Sequence, residues 1–276
     1  MQPGEAQNST NWREEHRYHK HAGEQLYTAT HHTSDSSKGS VLMIPTLAPE
    51  RVMSMVSWVR FARYLAANGY SALRFDPRGV GESSGDFTNT SFDSLLADAS
   101  FAASLAPESP LHLLGLRTGA LTAAELFAQG TGDSLLLWEP PADAHTALYE
   151  LLRIRIAMNQ SVQDLQRRPT RDDYVRILDE GGNVEVEGYL IGPALWLSSK
   201  QRALQLPAPE ETRAWHVLQL GRKAPAVELP AERLTQLPIP RPPFWAHGPQ
   251  LVPNLDLLFE HSVRFFDRAH SEARLA

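Results

Sequence analysis

The chain has 276 residues, 42% of them hydrophobic, with a formal charge of −6 and no cysteine. That size suits one large domain with an inserted segment or at most two domains, and the apolar share excludes a disordered chain. Interspersed acids and bases give no nucleic-acid surface, and the lack of cysteine excludes disulfides, thiol catalysis and thiolate metal sites.

Residues 1–14 read as a polar tail. Glu15 to Lys20 and Gln25 to His32 read as two strands of a hairpin turned at His21-Ala22-Gly23-Glu24. Val41 to Ile44 is a short apolar strand stopped by Pro45, and Glu50 to Asn68 has helical spacing that ends at Gly69. Ser71 to Phe75 is the next strand, Phe92 to Ala106 a helix, Leu111 to Leu114 a strand and Ser134 to Trp138 another. Strands alternating with helices at this spacing predict βαβ units and a parallel sheet. The alternation breaks after Pro141. Residues 142–205 are mostly helical in pattern, including Gly188 to Leu204, and predict an insertion over the C-terminal edge of the sheet. Ala214 to Leu220 resumes as a strand, Ala231 to Leu237 reads as a short helix, a last strand is expected near Phe244-Trp245, and Asn254 to Ala269 closes as a helix. No apolar run reaches signal-peptide length in the first 40 residues or the ~18–20 residues of a membrane span anywhere, so a soluble cytoplasmic protein is expected.

The most informative stretch is Gly115-Leu116-Arg117-Thr118-Gly119, set between an apolar strand and a helical pattern. It has the frame of the Gly-x-Ser-x-Gly nucleophile elbow of α/β-hydrolases, in which small residues let strand and helix pack closely around a strained turn. Arg117 stands where the serine belongs, and arginine, always protonated and donor-only, cannot attack a carbonyl. Asp76-Pro77-Arg78-Gly79-Val80-Gly81-Glu82-Ser83 resembles a loop common in the same fold; Asp76 and Arg78 are read as bracing it, with glycines at positive φ. The triad acid and histidine should follow the nucleophile in that order. Glu139 holds an alternative acid position, while Gly221-Arg222-Lys223, where an acid is usual, carries none; His247 is the one candidate base.

These features predict an α/β-hydrolase fold: a mostly parallel central sheet flanked by helices, built from residues 15–141 and 206–276, with a helical lid at 142–205. Within that class the chain resembles the bacterial exosortase-A-system-associated hydrolases of the second type. The resemblance rests on Gly115-Leu116-Arg117-Thr118-Gly119-Ala120, Leu135-Leu136-Leu137-Trp138-Glu139-Pro140, Val184-Glu185-Val186-Glu187-Gly188-Tyr189 and Pro243-Phe244-Trp245, and spans most of 17–266. It implies a relative of serine aminopeptidase-like proteins, encoded near exopolysaccharide and protein-sorting systems. Glu139, where that resemblance leads one to expect glutamine, and the stretch after the 41–44 strand depart from it.

Two roles stay open for Arg117. It pairs internally with Glu139 or Asp76 and plugs the old pocket, or, with the Thr118 amide, the N-terminus of the helix from 118 and the loop donors at Thr46 and Leu47, it binds an anion. Thr118 is discounted as a substitute nucleophile because it lies one residue off the elbow tip. His16, His19, His21, His31 and His32 read as solvated strand faces, not metal ligands, and Trp138, Trp196, Trp215 and Trp245 as core or pocket lining. No cofactor is implied. The expected function is a non-catalytic binder of a small, possibly anionic, ligand or of a protein partner. The alternative is an ester or amide hydrolase using Glu139, His247, Thr118 and the elbow amide.

Overall fold

A strand such as Val41-Leu42-Met43-Ile44, apolar at every position, needs cover on both faces of its sheet. The structure, a computed structural model, provides it and describes residues 12–34, 36–160, 169–208, 211–221, 224–246 and 253–273. In chain order these form β1 (Trp12–His21), β2 (Glu24–Thr33), β3 (Ser40–Ile44), α1 (Ala48–Ala67), β4 (Ser71–Asp76), α2 (Phe92–Ser104), β5 (Leu111–Leu116), α3 (Thr118–Ala128), β6 (Ser134–Trp138), α4 (Ala144–Gln160), α5 (Arg171–Asp179), β7 (Val184–Val186), β8 (Tyr189–Ile191), α6 (Pro193–Ser199), β9 (Ala214–Leu220), β10 (Leu234–Leu237) and α7 (Asp256–Ala273).

Eight strands make one sheet in the order β1-β2-β4-β3-β5-β6-β9-β10, antiparallel at the β1-β2-β4 end and parallel from β4 onward. Alternate residues of the central strands go to opposite faces. Val41 and Met43 join Trp58 and Phe61 of α1 and Phe259 and Phe266 of α7. Leu42 and Ile44 join Ala102 of α2 and Ala123 and Phe127 of α3. A third cluster packs Leu148 and Leu152 of α4, Leu178 of α5 and Trp196 of α6 onto Leu47, Phe92 and Leu121. The segment between β6 and β9 is thereby fastened over the C-terminal edge of the sheet. No described helix is long and apolar enough to cross a membrane.

Three expectations are corrected. The last strand is β10, drawn from the stretch read as a short helix; only Ala231–Arg233 make a single 3-10 turn, and Leu234–Leu237 pair with Val217–Leu220 of β9. Phe244-Trp245 form no strand, and Pro238, Pro240, Pro242 and Pro243 before them lack the amide donors a ladder needs. Second, the helix read over Gly188 to Leu204 starts only at Pro193, because Glu187 and Gly188, both at positive φ, turn a small β7-β8 hairpin ahead of it. Third, His31 is not solvated. It is fully buried, and Arg74 Nε donates to its Nε2 at 3.1 Å. The four tryptophans at 138, 196, 215 and 245 are all buried, as read.

Burial, the largest cause in each case, holds the imidazoles of His31, His112 and His216 down to about 4. Folded, they stay neutral well below the pH near 6.5 at which the unfolded chain takes up their protons. The unfolded state therefore binds more protons between about pH 6.5 and 4, and stability falls across that window as pH is lowered. Urea midpoints at pH 7.5, 6 and 5 check this. The His112→Asn variant, which cannot charge, should lose less stability from pH 7.5 to 5 than the wild type does; equal losses would mean His112 does not contribute.

Candidate functional site

β5 passes into α3 through one residue. Arg117 sits at φ 53° and ψ −122°, a conformation that costs a non-glycine residue about 1–3 kcal/mol and must be imposed by its surroundings. Its amide donates to the Trp138 carbonyl of β6 at 2.9 Å, and its carbonyl accepts from the Ala120 amide. Both flanking glycines are sterically required. A Cβ on Gly115 would lie 2.5 Å from Ala120 Cα, and one on Gly119 would lie 2.3 Å from the Pro45 carbonyl oxygen. The loop after β3 is thus pressed against the first turn of α3, as a nucleophile elbow requires.

That contact decides where the Arg117 side chain goes. β3 and β5 are neighbours in the sheet, so the first turn of α1 stands beside the elbow and supplies Glu50. Arg117 donates to Glu50 Oε1 from Nε at 3.1 Å and from Nη2 at 3.0 Å, with both side chains 14% exposed. Glu150 of α4 approaches Nη2 to 3.8 Å from its half-exposed position. Burial by itself would lower the guanidinium pKa. The Glu50 charge and hydrogen bonds outweigh that, with help from Glu139 and Glu150, and hold it above its ordinary value.

The two internal partners expected for Arg117 are therefore corrected. Asp76 accepts from Arg51 Nη2 and from the Glu82 amide, and Arg78 binds Asp98 through both its amide and its Nε, so these groups brace their own loop. Glu139, at φ 46° past the end of β6, turns one carboxylate oxygen to the Leu220 amide at 2.6 Å and ties β6 to β9. Its charge reaches Arg117, but Arg117 places its hydrogen bonds on Glu50.

Thr46, Leu47, Arg117 and Thr118 do converge, but their donors are turned on one another. Thr46 Oγ1 donates to Glu50 Oε2 at 2.8 Å and lies 3.0 Å from Thr118 Oγ1, which accepts from the Leu47 amide at 3.2 Å. One side chain thus closes the loop amide expected to face an oxyanion. His247 lies outside the described residues.

Beside this network opens a cleft of about 300 Å³ lined by Arg117, Glu139 and Glu150 on one side and by Leu220, Ile239, Arg241 and Trp245 among others. The guanidinium carbon lies 5.8 Å from the centre of the Trp245 ring. Sequence reasoning missed Glu50, Glu150 and Arg241. The available signal for Glu50 was topological: adjacent β3 and β5 put a carboxylate in the first turn of α1 within reach of the elbow tip.

A mostly parallel sheet of this order, helices on both its faces and the elbow after β5 define an α/β-hydrolase fold, and comparison with solved structures agrees. α/β hydrolase GrgF from Penicillium sp. sh18 superposes at TM-score 0.61 with 14% identity, over 94% of this chain and 99% of that one. Mouse α/β hydrolase domain-containing protein 10 gives 0.61 and 14%, over 92% and 99%. Est1E of Butyrivibrio proteoclasticus, in a structure with ferulic acid bound, gives 0.57 and 15%, over 92% and 99%. At these identities the likeness is one of fold. Residues 47–167, which include the elbow, match the family described as serine aminopeptidase, S33. None of the curated proteins compared with the chain matches it in sequence.

Two outcomes follow from the packing of the elbow. Gly119→Ala should cost about 1–3 kcal/mol, because the new methyl meets backbone and not a movable side chain; an unchanged denaturation midpoint would show that the loop yields freely. Arg117→Leu leaves the Glu50 carboxylate without its partner and should cost about 3 kcal/mol or more. In a double-mutant cycle with Glu50→Gln the two losses should fall short of additivity by roughly 1–3 kcal/mol, whereas strict additivity would show that the pair is not coupled.

Proposed function

We propose that this is a non-catalytic α/β-hydrolase-fold protein that binds a small ligand in the cleft beside Arg117. One observation carries the reading: the point from which a hydroxyl would attack holds a guanidinium fixed by Glu50, a group with no lone pair to donate. Acyl transfer needs a nucleophile within hydrogen-bond reach of a base. The adjacent hydroxyl, Thr118, is buried and engaged with Thr46 and Leu47, and no histidine is among the described residues lining the cleft.

The cleft itself supports a binding role. Its volume is at the small end of ligand sites, and it combines apolar walls with a few charged groups, the usual composition of such sites. Because Glu50 already matches Arg117, the ligand that fits is a small molecule with an apolar body lying against Trp245 and the proline-rich wall, and not a free anion seated on Arg117.

The test combines a fluorophosphonate probe, a panel of short-chain p-nitrophenyl esters and a thermal-shift screen of neutral apolar fragments. The expected result is no covalent adduct, ester turnover at the buffer rate, and fragments that raise the melting temperature of the wild type but not of Trp245→Ala. A stoichiometric adduct, on Thr118 or elsewhere at the elbow, or turnover well above buffer would establish a hydrolase with a nonstandard catalytic set. Arg117→Ser should gain no more than about tenfold over background, since triad members act as a unit and one restored member regains little. A rate approaching that of ordinary esterases would mean that an acid and a base were in place all along.

A further inference from the structure

Three side-chain hydrogen bonds at the elbow end on Glu50. Oε1 takes both Arg117 donors, and Oε2 takes the Thr46 hydroxyl, itself in contact with the Thr118 hydroxyl that closes the Leu47 amide. This is the set of partners an oxyanion would be given by an arginine fork and loop donors at a helix N-terminus. Here a side chain of the same protein provides the anion. Its position is rigidly set, because α1 begins three residues after a loop wedged against Gly119, where no Cβ fits. Arg117 nonetheless borders the open cleft, and its Nη1 makes no hydrogen bond among the described residues. Of the two other carboxylates near it, Glu150 stands at 3.8 Å and is half exposed, and Glu139 acts through its charge while its carboxylate accepts from the Leu220 amide.

We propose that Glu50 is an intramolecular occupant of a carboxylate-binding site, and that its presence is what makes the cleft reject free carboxylates. The proposal rests on the reading of the elbow as a binding site and names what controls its specificity. A tethered group competes at a very high effective concentration, so millimolar carboxylate in solution cannot displace Glu50. Removing its charge while keeping its shape leaves a mostly buried guanidinium at the edge of the cleft without the carboxylate that takes its hydrogen bonds, and such a charge recruits an external anion through that cleft. Glutamine can still accept from Arg117 and donate to Thr46 Oγ1, so Glu50→Gln keeps the local bonds while deleting the charge.

The experiment titrates acetate and benzoate, at ionic strength matched with chloride, into the full chain as wild type, Glu50→Gln and Glu50→Gln/Arg117→Leu, with melting temperature as the readout. The expected result is a saturable rise for Glu50→Gln, at least tenfold more sensitive to benzoate than the wild type, and no rise for the double variant. Should Glu50→Gln fail to fold alone, benzoate should restore its circular dichroism and leave the double variant unrestored. An equal response in wild type and Glu50→Gln, a response persisting without Arg117, or a Glu50→Gln protein that benzoate neither stabilises nor restores would overturn the proposal. Ester turnover by the wild type would defeat the non-catalytic reading independently, since the titration does not depend on turnover.

Discussion

A guanidinium set in a crevice that water reaches poorly has to meet a carboxylate, and the arrangement around Arg117 follows from that requirement. Stripping a charge of its hydration costs several kcal/mol unless an opposite charge with good hydrogen-bond geometry replaces the water. Glu50 does so with one oxygen on two Arg117 donors, while its other oxygen holds Thr46. Each of these groups lies on a different element, so the pair joins the start of α1, the loop after β3 and the start of α3 into one unit. The elbow's backbone strain is borne by the same unit, since Gly115 and Gly119 admit the close approach of loop and helix on which the pair depends.

The surrounding strand ends show the same economy of polar groups. Glu139 caps the gap between β6 and β9, and Asp76 ties the loop after β4 to Arg51 of α1. In a hydrolase the ends of these strands present an acid, a base and a nucleophile to a substrate. Here the carboxylates of Asp76, Glu139 and Glu50 are directed at the protein's own amides and guanidiniums. What remains open is the cleft between Arg117, Glu150 and the proline-rich wall. The segment between β6 and β9 packs α4, α5 and α6 on Leu47, Phe92 and Leu121, and Arg202 just after α6 adds ion pairs to Asp93 and Glu125.

A buried ion pair contributes little net stability compared with a well-packed apolar pair, because desolvation offsets most of the attraction. The cleft beside the pair carries further charged groups, Glu139, Glu150 and Arg241, next to apolar surface from Ile239 and Trp245.

Much of the fold was legible because it rests on local patterns: unbroken apolar strands, helical spacing in α1 and α3, the glycine-framed elbow, and the Gly23 turn of the first hairpin. The Gly188–Leu204 stretch, where a β7-β8 hairpin precedes the helix, was one exception, and the proline-rich stretch was another, since the choice between helix and strand for Leu234–Leu237 was made by the open edge of β9 and not by local propensity. The sequence by itself determined that the elbow tip carries no nucleophile, because that follows from the identity of residue 117. It could not determine which carboxylate would neutralise Arg117. Glu139, Asp76 and Glu50 are all acids near strand ends, and only the adjacency of β3 and β5, with Gly119 packed under the Pro45 carbonyl, brings Glu50 within 3.1 Å while Glu139 and Asp76 are drawn to the Leu220 amide and Arg51. Hydrogen bonds of this kind are settled by distances of a few tenths of an ångström across chain separations of 67 residues, and no local pattern in a sequence encodes them.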